Sequence, residues 1–215
     1  AATAPEVLAA LARGEANVLI GTQMVAKGHD LPGVTLVGVI LADQGLHMPD
    51  FRASERTFQL LVQVAGRAGR GARAGRVIVQ TYSPDHPSVR LACAHSYAEF
   101  VAEEAQARRE LGYPPFGRMA AIRVDAPTEA AAEAGALAID RLIRARVEVQ
   151  SAAVRVLGPA PPPIARLRNR FRQRLLLLGP DREPLRRVLK AVLAAAATIR
   201  PAVRLIVDVD PVQML

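Results

Sequence analysis

The sequence predicts an α/β chain in two parts: a parallel sheet flanked by helices, then a small ferredoxin-like domain of βαββαβ order. Three observations predict it. Short all-apolar runs, Val18-Leu19-Ile20 and Val34 to Leu41, read as strands buried on both faces, as in parallel sheets. The doubled proline of Tyr113-Pro114-Pro115-Phe116-Gly117 interrupts helical pattern and marks a boundary between residues 1–112 and 113–215. Beyond it, strand and helix patterns alternate in the split βαβ order.

Each element has a local reason. Residues 5–13 place Val7, Leu8 and Leu11 on one helical face, and Gly14 to Asn17 ends that helix before the strand at 18–20. A central strand at 34–41 leads into a polar loop through Asp43, His47 and Pro49. Asp50 is the expected cap of a helix from about 52 to 65, whose Phe58, Leu61, Val62 and Ala65 share a face. Residues 76–82 alternate as a strand, and 88–110 read as one mixed helix. In the second part, strands are expected at 119–124, 154–157, 171–178 and 203–209, with helices at 128–146 and 183–197. Pro159 to Pro163 would connect the two middle strands.

Composition narrows the class. At 215 residues with 51% apolar content, the chain can bury a sizeable core. No run approaches the roughly 20 apolar residues of a membrane span, and no charged-then-apolar leader opens the chain, so a cytoplasmic protein without membrane contact is expected. A single cysteine, Cys93, can make neither an internal disulfide nor a zinc cluster. Residues 1–112 carry 11 basic and 11 acidic side chains, whereas residues 113–215 carry 17 and 9, so the second part holds the whole net charge of +8. That asymmetry suits a polyanion, most simply nucleic acid; an arginine-rich composition without such a role is the bland alternative.

Two motifs carry chemistry. Gln63-Val64-Ala65-Gly66-Arg67-Ala68-Gly69-Arg70 sets two arginines three residues apart on a glycine-punctuated helix end. A guanidinium presents a rigid fork of donors to phosphate oxygens, and glycines permit close approach; the alternative is a basic Gly-rich turn. Upstream, Gly21 to Asp30 (GTQMVAKGHD) offers backbone N–H groups and a hydroxyl where a parallel strand ends, with Lys27 and Gly28 following. His29 fits a satisfied polar residue as well as a catalyst, and Asp30 could pair with an arginine or a ribose hydroxyl, or merely start a turn. In the second part Arg166, Arg168, Arg170, Arg172 and Arg174 recur every two residues, a spacing that projects all five to one face of a strand or hairpin. Such a ladder would bind successive phosphates of single-stranded or forked DNA, or form an ordinary solvated face.

Together the two motifs resemble motifs V and VI of superfamily 2 helicases. Thr22, Gly28 and Asp30 stand for the first, and Gln63, Gly66, Arg67, Gly69 and Arg70 for the second. The strings VTLVGVILAD, PDFRASER, QLLVQVAGRAGR, GRVIVQTYSPDHP and LIVDVDP resemble, more closely, the C-terminal portion of the PriA family of primosomal replication-restart helicases. The resemblance implies a second RecA-like helicase lobe over 1–112 and a DNA-binding or partner domain over 113–215. It implies ATP with Mg held between two lobes, Arg70 and Arg67 as finger and sensor with Gln63 orienting the helix end, and Gly28 and Asp30 near the nucleotide. Thr22, Gln23 and Lys27 would touch the DNA backbone.

The implied activity is recognition of stalled or forked DNA, ATP-dependent 3'-5' unwinding and recruitment of the replicative helicase loader. Single-stranded DNA-binding protein and primosome proteins would be partners. No phosphate loop, Walker B pattern or paired cysteines appear in these 215 residues, so the ATP lobe and the family's zinc would belong to upstream sequence. A fork-binding, primosome-assembling relative without ATPase activity is the alternative, and a protein- or RNA-binding ferredoxin-like module is a third reading.

Overall fold

A computed structural model of the chain describes residues 3–22, 33–66, 68, 74–200 and 202–214. Two units divide it: Ala1–Met48 with Arg52–Glu103, and Pro49–Phe51 with Glu104–Leu215. In the first unit, helix α1 (Ala4–Ala12) starts with Pro5 in its first turn, and the Thr3 N–H donates to the Glu6 carboxylate at 2.8 Å. The expected strand at 18–20 does not form: Val18 and Ile20 are 74% and 91% exposed. An apolar run becomes a strand only where a neighbour takes its backbone groups, and among the described residues these three have no ladder partner.

Strands β1 (Leu36–Val39) and β2 (Arg76–Val79) pair in parallel, from Leu36 opposite Arg76 to Val39 opposite Val79. Alternation sends Val39 and Val79 into a core with Phe58 and Leu61 of α2 (Ala53–Ala65) and Val89, Leu91 and Ala92 of α3 (Pro87–Cys93). Helix α2 has Arg52, not the expected Asp50, at its N-cap position; Asp50 is buried two residues earlier. The single helix expected over 88–110 is two, because His95 adopts a left-handed φ of 54° and the chain restarts as α4 (Tyr97–Leu111). That break brings Phe100 onto Phe58, ring centroids 4.0 Å apart and nearly coplanar in orientation.

One carboxylate joins the loops that leave β1 and β2. After Leu41, itself at φ 55°, a 3-10 turn (Ala42–Gln44) buries Asp43. Asp43 accepts from the Thr81 hydroxyl at 2.9 Å and the Tyr82 N–H at 3.0 Å. The Tyr82 N–H, with Thr81 and Ser83 helping against burial, holds this carboxyl down to about 2.

The second unit contains β3 (Arg118–Ala126), α5 (Glu129–Arg144), the short α6 (Val147–Gln150), β4 (Arg155–Ala160), β5 (Arg166–Leu167), β6 (Arg170–Gly179), α7 (Arg182–Ala195) and β7 (Arg204–Val209). Its antiparallel sheet runs β4-β6-β3-β7, with β5 folded onto β6, which is the ferredoxin-like topology the sequence predicts. One face carries Ala120, Ile122, Val124, Leu175 and Leu177, packed with Ala136, Ile139 and Ile143 of α5 and Leu185, Val188, Leu189 and Val192 of α7. Those α7 positions recur at helical spacing, and Thr128 caps α5 by accepting from the Ala131 N–H. On the other face Met119, Leu176 and Leu178 pack with Met214, Phe51 and Tyr113.

Strand β4 runs past its expected end, so Pro159 lies within it rather than in the connection. The register shifts between Leu157 and Ala160, and β4 is an edge strand, so the missing proline N–H falls where regular pairing is already interrupted. Gly158 makes this bend at φ 95°, where a Cβ would lie 2.6 Å from the Arg174 carbonyl oxygen. On α6, buried Glu148 accepts from Arg187 Nε at 2.9 Å; its own N–H first, then Arg187, holds its carboxyl below the ordinary range.

Two outcomes follow from this packing. A Cβ on Gly135 of α5 would lie 2.5 Å from Val203 Cγ1, so Gly135→Val should destabilise the second unit by about 1–3 kcal/mol in a urea titration. Because the Asp43 carboxyl titrates below its unfolded value of about 4, its contribution is complete above that pH and fades as pH falls toward 2. Asp43→Asn should therefore lower the thermal midpoint at neutral pH, with a deficit that shrinks on acidification.

Candidate functional site

Two regions hold the side chains with functional potential. In the first unit, Thr22 is exposed and Gln63 is half-buried in the last turns of α2. Gly66 closes that helix, its N–H donating to the Val62 carbonyl at 3.0 Å. Gln23, Lys27, Gly28, His29 and Asp30, and the arginines Arg67 and Arg70, lie outside the described residues.

In the second unit, β5 and β6 form a hairpin around Arg168 and Asn169, both left-handed at φ 49° and 58°. A two-residue loop with both centres at positive φ matches the twist of the flanking strands. The expected ladder of five arginines on one face is thereby split. Arg166 pairs across from Phe171, on the opposite face from Arg170, Arg172 and Arg174; its guanidinium lies over the Phe171 ring at 5.0 Å. Arg168 sits at the exposed tip. Every-second-residue spacing stays on one face only while the strand continues, and here a turn intervenes between 167 and 170.

The three arginines of β6 point to the helix-free face and differ in their ties. Arg174 donates to the carbonyls of Met214 and, at 3.4 Å, of Pro49, and burial lowers its proton affinity. Its fork is committed to holding the C-terminal segment and residues 49–51 against the sheet. Arg172, with only 10% of its side chain exposed, stands 4.0 Å from the Asp125 carboxylate. Arg170 donates to the Asp125 carbonyl at 3.2 Å.

Asp125 and its neighbour Arg123 are the residues that the motif reading missed. Asp125 is 3% exposed, and Arg123 grips both its oxygens, Nε at 3.0 Å and Nη2 at 3.4 Å. The signal was present as Arg-x-Asp in a strand, which puts 123 and 125 on one face. What was invisible was that β6 would lay Arg172 directly across from Asp125.

The comparisons with known proteins agree with this architecture. A family model described as helicase conserved C-terminal domain matches residues 3–72, and one described as primosomal protein N C-terminal domain matches residues 109–212. The class defined is a helicase-type RecA-like lobe joined to a primosomal C-terminal domain. More particularly, the chain belongs to the PriA family of replication restart proteins, of which it is similar to the C-terminal portion. It is 44% identical to replication restart protein PriA of Bacillus subtilis over 87% of this chain and 23% of that protein. The Synechocystis protein of that name is 44% identical over 79% of this chain and 20% of its own length, and that of Haemophilus influenzae 41% identical over 93% and 27%. The chain thus spans about a quarter of the length of these relatives. Among solved structures, a de novo designed protein aligns over 45% of this chain and 99% of its own at 13% identity and a TM-score of 0.34, too distant to bear on the fold.

Among the described residues no helix is long and apolar enough to cross a membrane, and no three His, Cys, Asp or Glu side chains group as metal ligands. The single cysteine, Cys93, cannot by itself supply a zinc cluster.

Replacing Asp125 by Asn would leave Arg123 and Arg172 facing each other without a carboxylate. Urea titration should show a loss of about 1–3 kcal/mol, larger than for Asp181→Asn, whose side chain makes no cap hydrogen bond at the start of α7.

Proposed function

We propose that this chain is the C-terminal part of a replication restart protein that recognises stalled or forked DNA, unwinds it 3'-5' with ATP and recruits the loader of the replicative helicase. The observation that carries the reading is the succession of two family matches along one chain, helicase lobe then primosomal domain, with relatives of that name over most of its length. In this reading residues 1–112 form the second motor lobe and 113–215 the DNA-binding and partner domain, acting in the cytoplasm on nucleoid DNA. Single-stranded DNA-binding protein and primosome components are the expected partners.

Residues of this chain then do the following. Arg67 and Arg70 reach the γ-phosphate of ATP held with Mg by an upstream lobe, stabilising charge that develops on transfer to water. Gln63 orients the helix end that delivers them, Gly28 and Asp30 border the nucleotide, and Thr22, Gln23 and Lys27 contact the DNA backbone. On the hairpin, Arg166, Arg168 and Arg170 are the accessible candidates for phosphate contact, with Arg172 deeper and Arg174 tied to two carbonyls. ATP supplies the free energy; the residues named here sense and position.

The test uses the full-length parent protein. Arg70→Ala should lower DNA-stimulated ATP turnover by roughly a thousandfold while forked-DNA affinity changes little. Retained turnover would overturn the finger role. Parent protein that binds forks but never turns over ATP would favour the assembly-only alternative instead.

A further inference from the structure

The helix-free face of the second unit's sheet holds more positive charge than its own carboxylates neutralise. Beside Asp125 on β3 lies Arg123; across from it on β6 lies Arg172, and across from it on β7 lies Arg204. Arg170 shares this face by alternation. Two other acidic side chains bear on this face: Asp208, exposed and opposite Ala121, four residues along from Asp125 on the β3 register, and buried Asp50, whose charge acts on Arg174.

Asp125 cannot serve all of these guanidiniums. Arg123 already occupies both of its oxygens, which leaves Arg172 Nε at 4.0 Å and Arg170 bonded only to the backbone carbonyl. Arg170 Nε and Arg172 Nε are buried, with no hydrogen-bond partner among the described residues. A buried charged donor left without an acceptor is costly and calls for an external one. Burial first, then the charges of Arg123 and Arg168, lowers the proton affinity of Arg172, and Asp125 only partly opposes them.

We propose that this face is a seat for one phosphate oxyanion, held by Arg123, Arg170 and Arg172, with Asp125 as the positioning carboxylate that fixes the Arg123 fork. Convergent guanidiniums match the several acceptor oxygens of a phosphate, and Arg123, Arg170, Arg172, Arg174 and Arg204 outnumber Asp125, Asp208 and Asp50 there. The seat rests on the nucleic-acid reading above and deepens it: the phosphate is a phosphodiester of a bound strand or, by the same chemistry, free inorganic phosphate. It lies on the helix-free sheet face and is separate from Arg166, which stands on the other face of the hairpin.

The experiment measures the 215-residue chain in two arms. In the first, anisotropy follows binding of labelled oligothymidylate against salt, for the parent sequence, Arg123→Gln/Arg170→Gln and Arg166→Gln/Arg168→Gln. In the second, melting temperature is compared in inorganic phosphate and in chloride at matched ionic strength, which needs no variant to fold; Arg204→Gln, at an exposed position, is a milder companion. The seat predicts roughly five- to twentyfold weaker oligonucleotide binding in Arg123→Gln/Arg170→Gln, with a salt slope shallower by about 0.7 for each phosphate no longer neutralised. Weakening confined to the oligonucleotide arm identifies the strand as the source, and a phosphate-induced rise in melting temperature that this variant abolishes identifies the free ion. Unchanged affinity and slope in a folded Arg123→Gln/Arg170→Gln variant, with no phosphate-specific melting shift in the parent sequence, overturns the proposal. If only Arg166→Gln/Arg168→Gln weakens binding and phosphate gives no specific melting shift, the nucleic-acid reading stands and this seat falls; if neither pair changes binding and no such shift appears, both fall.

Discussion

The pairing of β3 with β6 is the constraint on which the second unit depends. Nine residue pairs, from Arg118 opposite Gly179 to Ala126 opposite Phe171, run antiparallel down the middle of the sheet. Because strand side chains alternate, this single register decides two surfaces at once. Ile122 meets Leu175 on the face that the helices cover, and Asp125 meets Arg172 on the face they do not. A slip of one residue would bury arginines under α5 and α7 and expose the leucines. The apolar side therefore fixes the register, and the polar side inherits its geometry.

That inheritance explains why arginines of similar sequence spacing have different physical lives. Arg174 lies nearest the Met119, Leu178 and Met214 cluster and is drawn into it, its fork closing on two carbonyls. Arg172 shares a buried carboxylate with Arg123, and Arg166 leaves the face altogether to cover Phe171. Of the five arginines between 166 and 174, Arg166 and Arg168, toward the hairpin tip, are the exposed ones. Affinity for a polyanion in this unit is thus a property of where each guanidinium is anchored, more than of how many there are.

Buried carboxylates play a parallel role in the first unit. Asp43 satisfies a hydroxyl and a backbone N–H that the β2 exit would otherwise leave without acceptors, and so joins two loops leaving the same parallel sheet. In α/β proteins the loops beyond the carboxyl ends of parallel strands are where ligands bind, so a rigid join there defines the frame for whatever approaches. Glu148 does similar work between α6 and α7 through Arg187.

Local pattern determined much of this protein. The helical spacing of Leu185, Val188, Leu189 and Val192 and the alternation of Met119 to Val124 were enough to read elements of the second unit, because each reflects backbone period. Gln63, Gly66, Arg67, Gly69 and Arg70 were enough for the family resemblance, since that motif is contiguous. What only tertiary structure decided depends on partners distant in sequence: whether Val18 to Ile20 finds a strand neighbour, that His95 breaks a helix so Phe100 can meet Phe58, and that a two-residue turn divides the arginines. The Arg123, Asp125 and Arg172 constellation belongs there too, for its members are up to 49 residues apart and meet only through the β3 and β6 register.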